Sequence, residues 1–107
     1  MTSNFEKNDH VIELFDIYKN FLTTKQKQYF EFYFFEDFSL QEIAEEHQIS
    51  RAAVSDSIKN AIKLLEECEE KVKLLKITQS IRNILEEYKD DADNKIKELI
   101  NKIEKEI

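Results

Sequence analysis

The chain has 107 residues, of which 36% are charged, and it contains no glycine and no proline. A chain of this length can bury one small core, and the absence of the two residues that most disfavour helices points to an all-α domain. The formal net charge of -7 argues against a protein whose affinity comes mainly from neutralising phosphates.

Cysteine and histidine content and hydropathy disfavour several further classes of protein. The single cysteine, Cys68, cannot form an internal disulfide and is expected in the core, while His10 and His47 do not complete a metal-ligand cluster. Residues 1–8 show no apolar run after a basic stretch, and nowhere do about eighteen apolar residues follow one another. We therefore expect a cytoplasmic protein without a membrane span, a metal or another cofactor.

The first predicted helix runs from about Asn8 to near Phe21. Thr23 then caps a second helix, because Thr23 and Gln26 have the spacing of a capping box. Apolar residues recur in the first helix at helical spacing and predict one buried stripe. The stripe consists of Val11, Leu14, Phe15, Tyr18 and Leu22.

The second predicted helix, KQKQYFEFYFFE, carries aromatic side chains nearly all the way round. These are Tyr29, Phe30, Phe32, Tyr33, Phe34 and Phe35. A helix on the surface of a monomer would expose several of them, so we expect this one to be central and covered by its neighbours. The alternative is a patch of aromatic residues that binds a partner.

The stretch DFSLQEIAEEHQISRAAVSDSIKNAIK reads as two helices joined by a tight turn. Ser39 and Glu42 form a second capping box, which predicts a short helix from Leu40 to about Glu46. Ser50 caps the next helix, so that only His47 to Ile49 separate the two, as in a helix-turn-helix unit. A plain helical hairpin is the alternative interpretation.

Apolar residues of this stretch fall where a helix-turn-helix needs its internal contacts. The predicted internal contacts are Ile43, Ala44, Ile49, Val54 and Ile58. Ala44 is small because the second helix crosses it closely. The turn position that needs a positive φ is often glycine, and here it is Gln48, with His47 as its neighbour in the turn.

The apolar stripe of the second helix of this unit continues for several turns and predicts a long helix that reaches Leu75. Its members are Ala61, Leu64, Leu65, Cys68, Val72 and Leu75. The phase is less regular from Lys76 to Ser80, where Thr78 or Ser80 could cap a new helix, so a bend or short break is predicted there. A last helix is then predicted to run to the end of the chain. Its stripe consists of Ile81, Ile84, Leu85, Tyr88, Ala92, Ile96, Leu99, Ile100, Ile103 and Ile107.

Together these elements predict a helix-turn-helix domain at 1–76, with the helix-turn-helix unit at about 39–63, and a C-terminal helical extension at 77–107. The stripe of the last helix must be buried, either by folding back onto the domain or by pairing with a second subunit. Since so small a chain has little spare core to cover about ten apolar positions, we expect a homodimer.

Residues from the end of the first helix to the long helix follow a recognisable order of motifs. They are Leu22-Thr23, Lys25-Gln26, the aromatic run Tyr29 to Phe35, Asp37-Phe38-Ser39-Leu40, Glu42-Ile43-Ala44-Glu45, Ser50-Arg51, Ala53-Val54, Asp56, Ile58 and Lys59. In these motifs, over about residues 10–76, the chain resembles the YlxM family of small bacterial helix-turn-helix proteins. The unit looks more distantly like region four of bacterial sigma factors.

This resemblance implies a regulatory role connected with the signal recognition particle pathway. The partners it implies are the particle's GTPase or its RNA, and it implies no enzymatic activity. The sequence departs from the family in the second helix of the unit. There Ala52, Ser55, Ser57 and Asn60 replace the Gln, Tyr, Asn and Arg expected for the family.

The second helix of the unit also carries the candidate contacts to nucleic acid. Val54 is taken as the inward direction, and each following residue is rotated by about 100°. The residues that then point inward are Ile58, Ala61, Ile62 and Leu65. Those that point outward are Ala52, Asp56, Lys59, Asn60 and Lys63. Asp56 lies near the middle of the outward face, where phosphates on either side would repel its carboxylate. The residues suited to weak binding of a duplex are Ser50, Arg51, Ser55, Lys59 and Lys63.

The balance of these features favours binding of protein or ribonucleoprotein components. A DNA-binding transcriptional regulator is the alternative, because the scaffold of a DNA-binding domain does not fix its function. The sequence shows no constellation for catalysis, since it lacks a glycine-rich loop and places its two histidines far apart. We therefore expect neither an enzyme nor a small-molecule substrate.

Overall fold

The computed structural model describes residues 9–107 and divides into two compact units, the first ending at Val72 and the second comprising Lys73–Ile107. The expectation that residues 1–8 hold no leader lies outside the described residues. Between residues 9 and 107 the chain forms six α-helices and no strand, which confirms the predicted all-α class.

The first unit contains four α-helices and one short 3₁₀ turn. They are α1 (Asp9–Tyr18), the 3₁₀ turn (Lys19–Phe21), α2 (Thr24–Phe34), α3 (Leu40–His47) and α4 (Arg51–Val72). α4 packs against each of the other three helices, and α2 also packs against α3. The long helix is therefore the common support of the unit.

Both predicted capping boxes are present. The Thr23 hydroxyl oxygen accepts from the Gln26 main-chain N–H at 3.1 Å, and the Gln26 side-chain oxygen accepts from the Thr23 N–H at 2.9 Å. Ser39 and Glu42 make the same reciprocal pair at 3.0 and 2.8 Å. Each box satisfies N–H groups that lack an intrahelical partner, so the starts of α2 and α3 follow from local sequence.

The centre of the first unit is a stack of phenylalanine rings. Phe30 is fully buried, and its ring centroid lies 4.2 Å from that of Phe15 in α1 and 4.3 Å from that of Phe34 one turn along α2. Tyr29 and Tyr33 are buried as well, whereas Phe35 is 51% exposed. The prediction that the aromatic helix belongs to the core is confirmed.

One polar contact joins the first and last helices of this unit. The phenol of Tyr18, which is almost completely buried, donates to a carboxylate oxygen of Glu69 at 2.7 Å. Tyr18 thereby contributes its ring to the core while its hydroxyl is satisfied on α4.

The second unit is a hairpin of two helices, α5 (Leu74–Lys89) and α6 (Asn94–Glu104), which pack against each other. The Lys89 ammonium lies 2.8 Å from the Glu104 carboxylate, and the Arg82 guanidinium donates to the main-chain oxygen of Ile107. Hydrogen bonds to Glu104 and then to Glu86 raise the pKa of Lys89. Polar contacts therefore join the second half of α5 to the last residues of the chain.

The boundary between the long helix and the extension was predicted in the wrong place. α4 ends at Val72 rather than Leu75, and the break is the single residue Lys73, whose φ of 58° is left-handed. α5 then runs without interruption through 76–80, where a bend was predicted. The spacing of apolar residues is irregular there because a new helix, with its own apolar stripe, begins at Leu74. The left-handed residue before it interrupts the helical repeat of α4.

The prediction of one last helix reaching the chain end is also wrong. The helix stops at Lys89, and Asp93 starts α6, because its carboxylate accepts from the Ile96 main-chain N–H at 2.9 Å. The acidic residues at 90–93 thus include the N-cap of α6. The spacing of apolar residues, on which the prediction of one helix depended, does not reveal this helix start.

Candidate recognition surface on the helix-turn-helix

The turn between α3 and α4 depends on one left-handed residue. Gln48 has φ 57° and ψ 43°, as the spacing predicted for the position often held by glycine. The Ile49 N–H then donates to the Ala44 carbonyl at 3.0 Å, five residues back, which is the bond that closes a Schellman motif. A residue other than glycine in this conformation costs about 1 kcal/mol, which the turn's hydrogen bonds offset.

Ser50 determines where α4 begins. Its hydroxyl oxygen accepts from the Ala53 N–H at 2.9 Å, and its carbonyl accepts the first helical bond from Val54 at 3.2 Å. The Ser50 hydroxyl is thus an N-cap, and Arg51 occupies the first helical position directly after it.

The inner side of the unit holds the two helices together. Ile43, Ala44, Val54 and Ile58 are buried, and Ile49 is half-buried. Because α3 packs on α4 through these small and branched side chains, the orientation of α4 about its own axis is set.

The outer side of α4 is the candidate recognition surface. We call it the recognition face, and every one of its residues is exposed: Ala52, Asp56, Lys59, Asn60 and Lys63. Of the other candidate contacts, Ser50 is exposed, whereas Arg51 and Ser55 are half-buried. The structure thus brings Lys59 and Lys63 onto one face with Asp56. The roles of these side chains in binding stay predictions.

The charge on α4 changes sign along its length. Its first part carries Arg51, Lys59 and Lys63 with Asp56 among them, while the following part carries the exposed carboxylates of Glu66, Glu67 and Glu70. A long, rigid nucleic acid lying along this helix would meet these carboxylates as well as the cations.

One residue of the unit has a position that the sequence did not indicate. His47 is the last residue of α3 rather than part of the turn, and its ring centroid lies 5.0 Å from that of Tyr29 and 5.5 Å from that of Phe32. Its Nε2 atom is buried and has no hydrogen-bond partner within residues 9–107. Tyr29 and Phe32 are three residues apart on α2, a spacing that places two rings on the side facing α3.

The described part of the chain also bears on metal binding and on membrane insertion. Residues 9–107 contain no group of three His, Cys, Asp or Glu side chains placed to hold a metal ion. Cys68 is half-buried rather than fully in the core. Within the same residues, no helix has the length and apolar character needed to cross a lipid bilayer.

The capped helix, the left-handed turn residue and the second helix packed across Ala44 define a helix-turn-helix protein. The family model for helix-turn-helix proteins described as "YlxM / p13 like" matches residues 5–106, and the chain belongs to this family.

Relatives from three bacteria cover nearly the whole chain. The YlxM protein of Bacillus subtilis is 42% identical over 95% of this chain and 97% of its own length. A protein of the same family from Bacillus licheniformis is 43% identical, over 94% of this chain and 95% of its own length. One from Listeria welshimeri is 40% identical, over 92% and 96%. The family resemblance that the motifs predicted is therefore confirmed.

Proposed function

We propose that this protein is a non-enzymatic regulatory protein of the bacterial cytoplasm. It takes part in the signal recognition particle pathway by binding protein or ribonucleoprotein components. The pathway follows from the family resemblance, and the recognition face supports the kind of partner. The observation that carries the choice of partner is the exposed carboxylate of Asp56 at the centre of that face.

Asp56 is one helical turn from both Lys59 and Asn60, so any ligand that covers this face meets its carboxylate. In the major groove a carboxylate can accept a bond from the cytosine amino group but is repelled by the flanking phosphates. A protein surface, in contrast, can offer Asp56 a cation while offering carboxylates to Lys59 and Lys63. The mixed charge of the face is therefore better matched by a protein, or by the protein part of a ribonucleoprotein.

The test is a comparison of three purified partners by fluorescence anisotropy. Labelled particle GTPase, labelled particle RNA and a random DNA duplex are each titrated with the protein at several salt concentrations. We expect the GTPase to bind more tightly than either the naked RNA or the duplex. The duplex should show a shallow log-log salt slope of about -2 to -3, because few phosphates can be neutralised at once. Equal affinity for all three would contradict the proposal.

The second candidate function is a DNA-binding transcriptional regulator. It is favoured by the three cations in the first part of α4, Arg51, Lys59 and Lys63, and by the hydroxyls of Ser50 and Ser55. The distant resemblance to region four of sigma factors points the same way. Tight and steeply salt-dependent binding of one duplex sequence would favour this function over the first.

Two substitutions and a matched control read out the recognition face directly. Asp56→Asn should strengthen duplex binding by removing a repulsion, and Arg51→Ala should weaken it. Lys19→Ala, which removes an exposed lysine from the 3₁₀ turn outside the recognition face, should change the affinity less than Arg51→Ala does. Circular dichroism of each variant verifies that the fold is kept.

A further inference from the structure

The second unit leaves one face of its long helix uncovered. Five apolar residues line this face of α5, and we call them the α5 stripe: Leu74, Ile77, Ile81, Ile84 and Tyr88. Four of them are strongly exposed, at 46% for Leu74, 52% for Ile77, 55% for Ile84 and 61% for Tyr88. Alternating steps of three and four residues keep all five on one side of the helix, as in a helix that packs against another.

α6 also exposes apolar side chains. Ile96 and Leu99 are 42% and 52% exposed, whereas Ile100, one residue on, is buried. Single exposed apolar side chains are common on proteins, but a row of five along one side of a helix marks an interface. The α5 stripe is therefore a surface suited to packing against a further helix.

The α5 stripe is symmetric about its middle residue. Leu74 and Tyr88 each lie seven residues from Ile81, and Ile77 and Ile84 lie four and three residues from it. A two-fold axis through Ile81 therefore places Leu74 of one copy opposite Tyr88 of the other and Ile77 opposite Ile84. Such a stripe matches itself when a second copy runs in the opposite direction.

The charges along α5 have the matching asymmetry. Within α5, residues 74–82 carry two basic groups and no acidic one, whereas residues 83–89 carry two acidic groups and one basic one. The flanking residues extend this asymmetry, with a lysine at 73 and three aspartates at 90–93. Two antiparallel copies bring each basic half beside the acidic half of the other copy. Two parallel copies would bring like charges together, which is unfavourable.

We propose that the α5 stripe is a homodimer interface at which α5 of a second copy packs antiparallel, with the two-fold axis near Ile81. The two hairpins then bring four helices together. The extension thus supplies the subunit contact, and the recognition face belongs to the other unit. The α5 stripe is exposed whichever partner the recognition face binds.

Charge reversal tests both the surface and its direction. One variant combines Lys73→Glu with Lys76→Glu, a second combines Glu86→Lys with Glu87→Lys, and a third carries all four changes. Analytical ultracentrifugation of the wild-type chain, of 12.8 kDa, should show twice the chain mass at micromolar concentration. Each double variant should raise the dimer dissociation constant about tenfold or more, and the fourfold variant should restore it.

The variant with Glu86→Lys and Glu87→Lys is the more informative of the two. It brings the net charge closer to zero, which reduces general repulsion between chains, and it should still weaken the dimer. Reversal of the exposed charges of Asp16 and Lys19 in the first unit, by Asp16→Lys with Lys19→Asp, is the matched control and should leave the dissociation constant unchanged. Far-UV circular dichroism verifies that every variant stays helical.

Three results would overturn the proposal. A wild-type monomer at about 100 µM would show that no second copy covers the α5 stripe. Double variants that dimerise as well as the wild type would exclude the antiparallel arrangement. A fourfold variant as weak as the doubles would show that the charged halves do not face each other.

Discussion

The two units of this protein bury their apolar residues to very different extents, although both consist of amphipathic helices. In the first unit α4 has three neighbouring helices, and its inward residues Val54, Ile58 and Leu65 are fully buried. In the second unit the hairpin gives α5 a single neighbour, α6. Even Ile81, the central residue of the α5 stripe, is only half-buried. A helix with a broad apolar face needs neighbours on two sides to cover it, and a two-helix hairpin provides one.

This difference separates the roles of apolar residues in the two units. Rings such as Phe30 fill a closed core, and their removal is expected to act on folding. Side chains such as Ile84 and Tyr88 remain accessible, and their removal is expected to act on association. Substitutions in the two units should therefore differ in whether their effect depends on protein concentration.

Ala44→Glu should abolish the cooperative fold of the first unit. Ala44 is 2% exposed where α3 packs on α4, and a carboxylate there would be buried without a partner, at a cost of several kcal/mol. This is most of the ~5–15 kcal/mol that stabilises a typical domain. Thermal unfolding followed by far-UV circular dichroism measures the effect.

Asp56→Ala on the exposed face of α4 is the comparison for Ala44→Glu. It should shift the melting temperature by no more than about 4 °C, because exposed substitutions usually change stability by less than about 0.5 kcal/mol. If the two substitutions proved equally harmful, the inward direction assigned to α4 would be wrong.

Phe30→Ala should destabilise the first unit by about 3–5 kcal/mol, because it leaves a cavity between the rings of Phe15 and Phe34. The loss should be the same at every protein concentration. Tyr88→Ala, in the α5 stripe, should lower the melting temperature only at concentrations at which chains associate. A concentration-independent loss for Tyr88→Ala of the same size would remove the distinction between the two units.

Tyr18→Phe should cost about 1–2 kcal/mol, because it deletes the hydrogen bond to the Glu69 carboxylate and leaves the ring in place. Tyr88→Phe, measured at a concentration below that at which chains associate, is the control, since the Tyr88 side chain is 61% exposed in the single chain, and it should be neutral. Chemical denaturation curves of both variants and the wild type provide the comparison. Equal stability of Tyr18→Phe and the wild type would show that the contact between α1 and α4 is not stabilising.

The smallest expected effect concerns the cap of α3. Hydrogen bonds from the Ser39 main-chain N–H and then from its side chain lower the pKa of Glu42 below the ordinary value of 4.5. A lowered pKa means that the carboxylate stabilises the fold above that value, and this contribution is lost as the pH falls through the folded-state pKa. The wild type should therefore lose more stability than Glu42→Gln between about pH 5 and pH 3. Parallel losses in an acid titration would contradict this account.

Local signals in the sequence predicted the start of α2, the start of α3 and the turn between α3 and α4. Each depends on residues a few positions apart, such as Ser39 with Glu42, or on a single backbone conformation, as at Gln48. The central place of the aromatic helix was also predicted, because no exposed helix could carry six aromatic residues in seven positions. The candidate recognition face could be predicted to the same extent, since its direction follows from the helical repeat once Val54 is placed inward.

The breaks in the second half of the chain could not be predicted in this way. Lys73 has no side-chain feature that marks a left-handed residue, and Asp93 is one of several acidic residues near the turn. The position of His47 against Tyr29 and Phe32 likewise needs α2 and α3 to be brought together. The sequence by itself determined the all-α class, the caps and the helix-turn-helix, because these follow from contacts within a few residues. Tertiary structure alone decided which apolar stripes are covered, because burial depends on how many helices surround each stripe and no local pattern records that number.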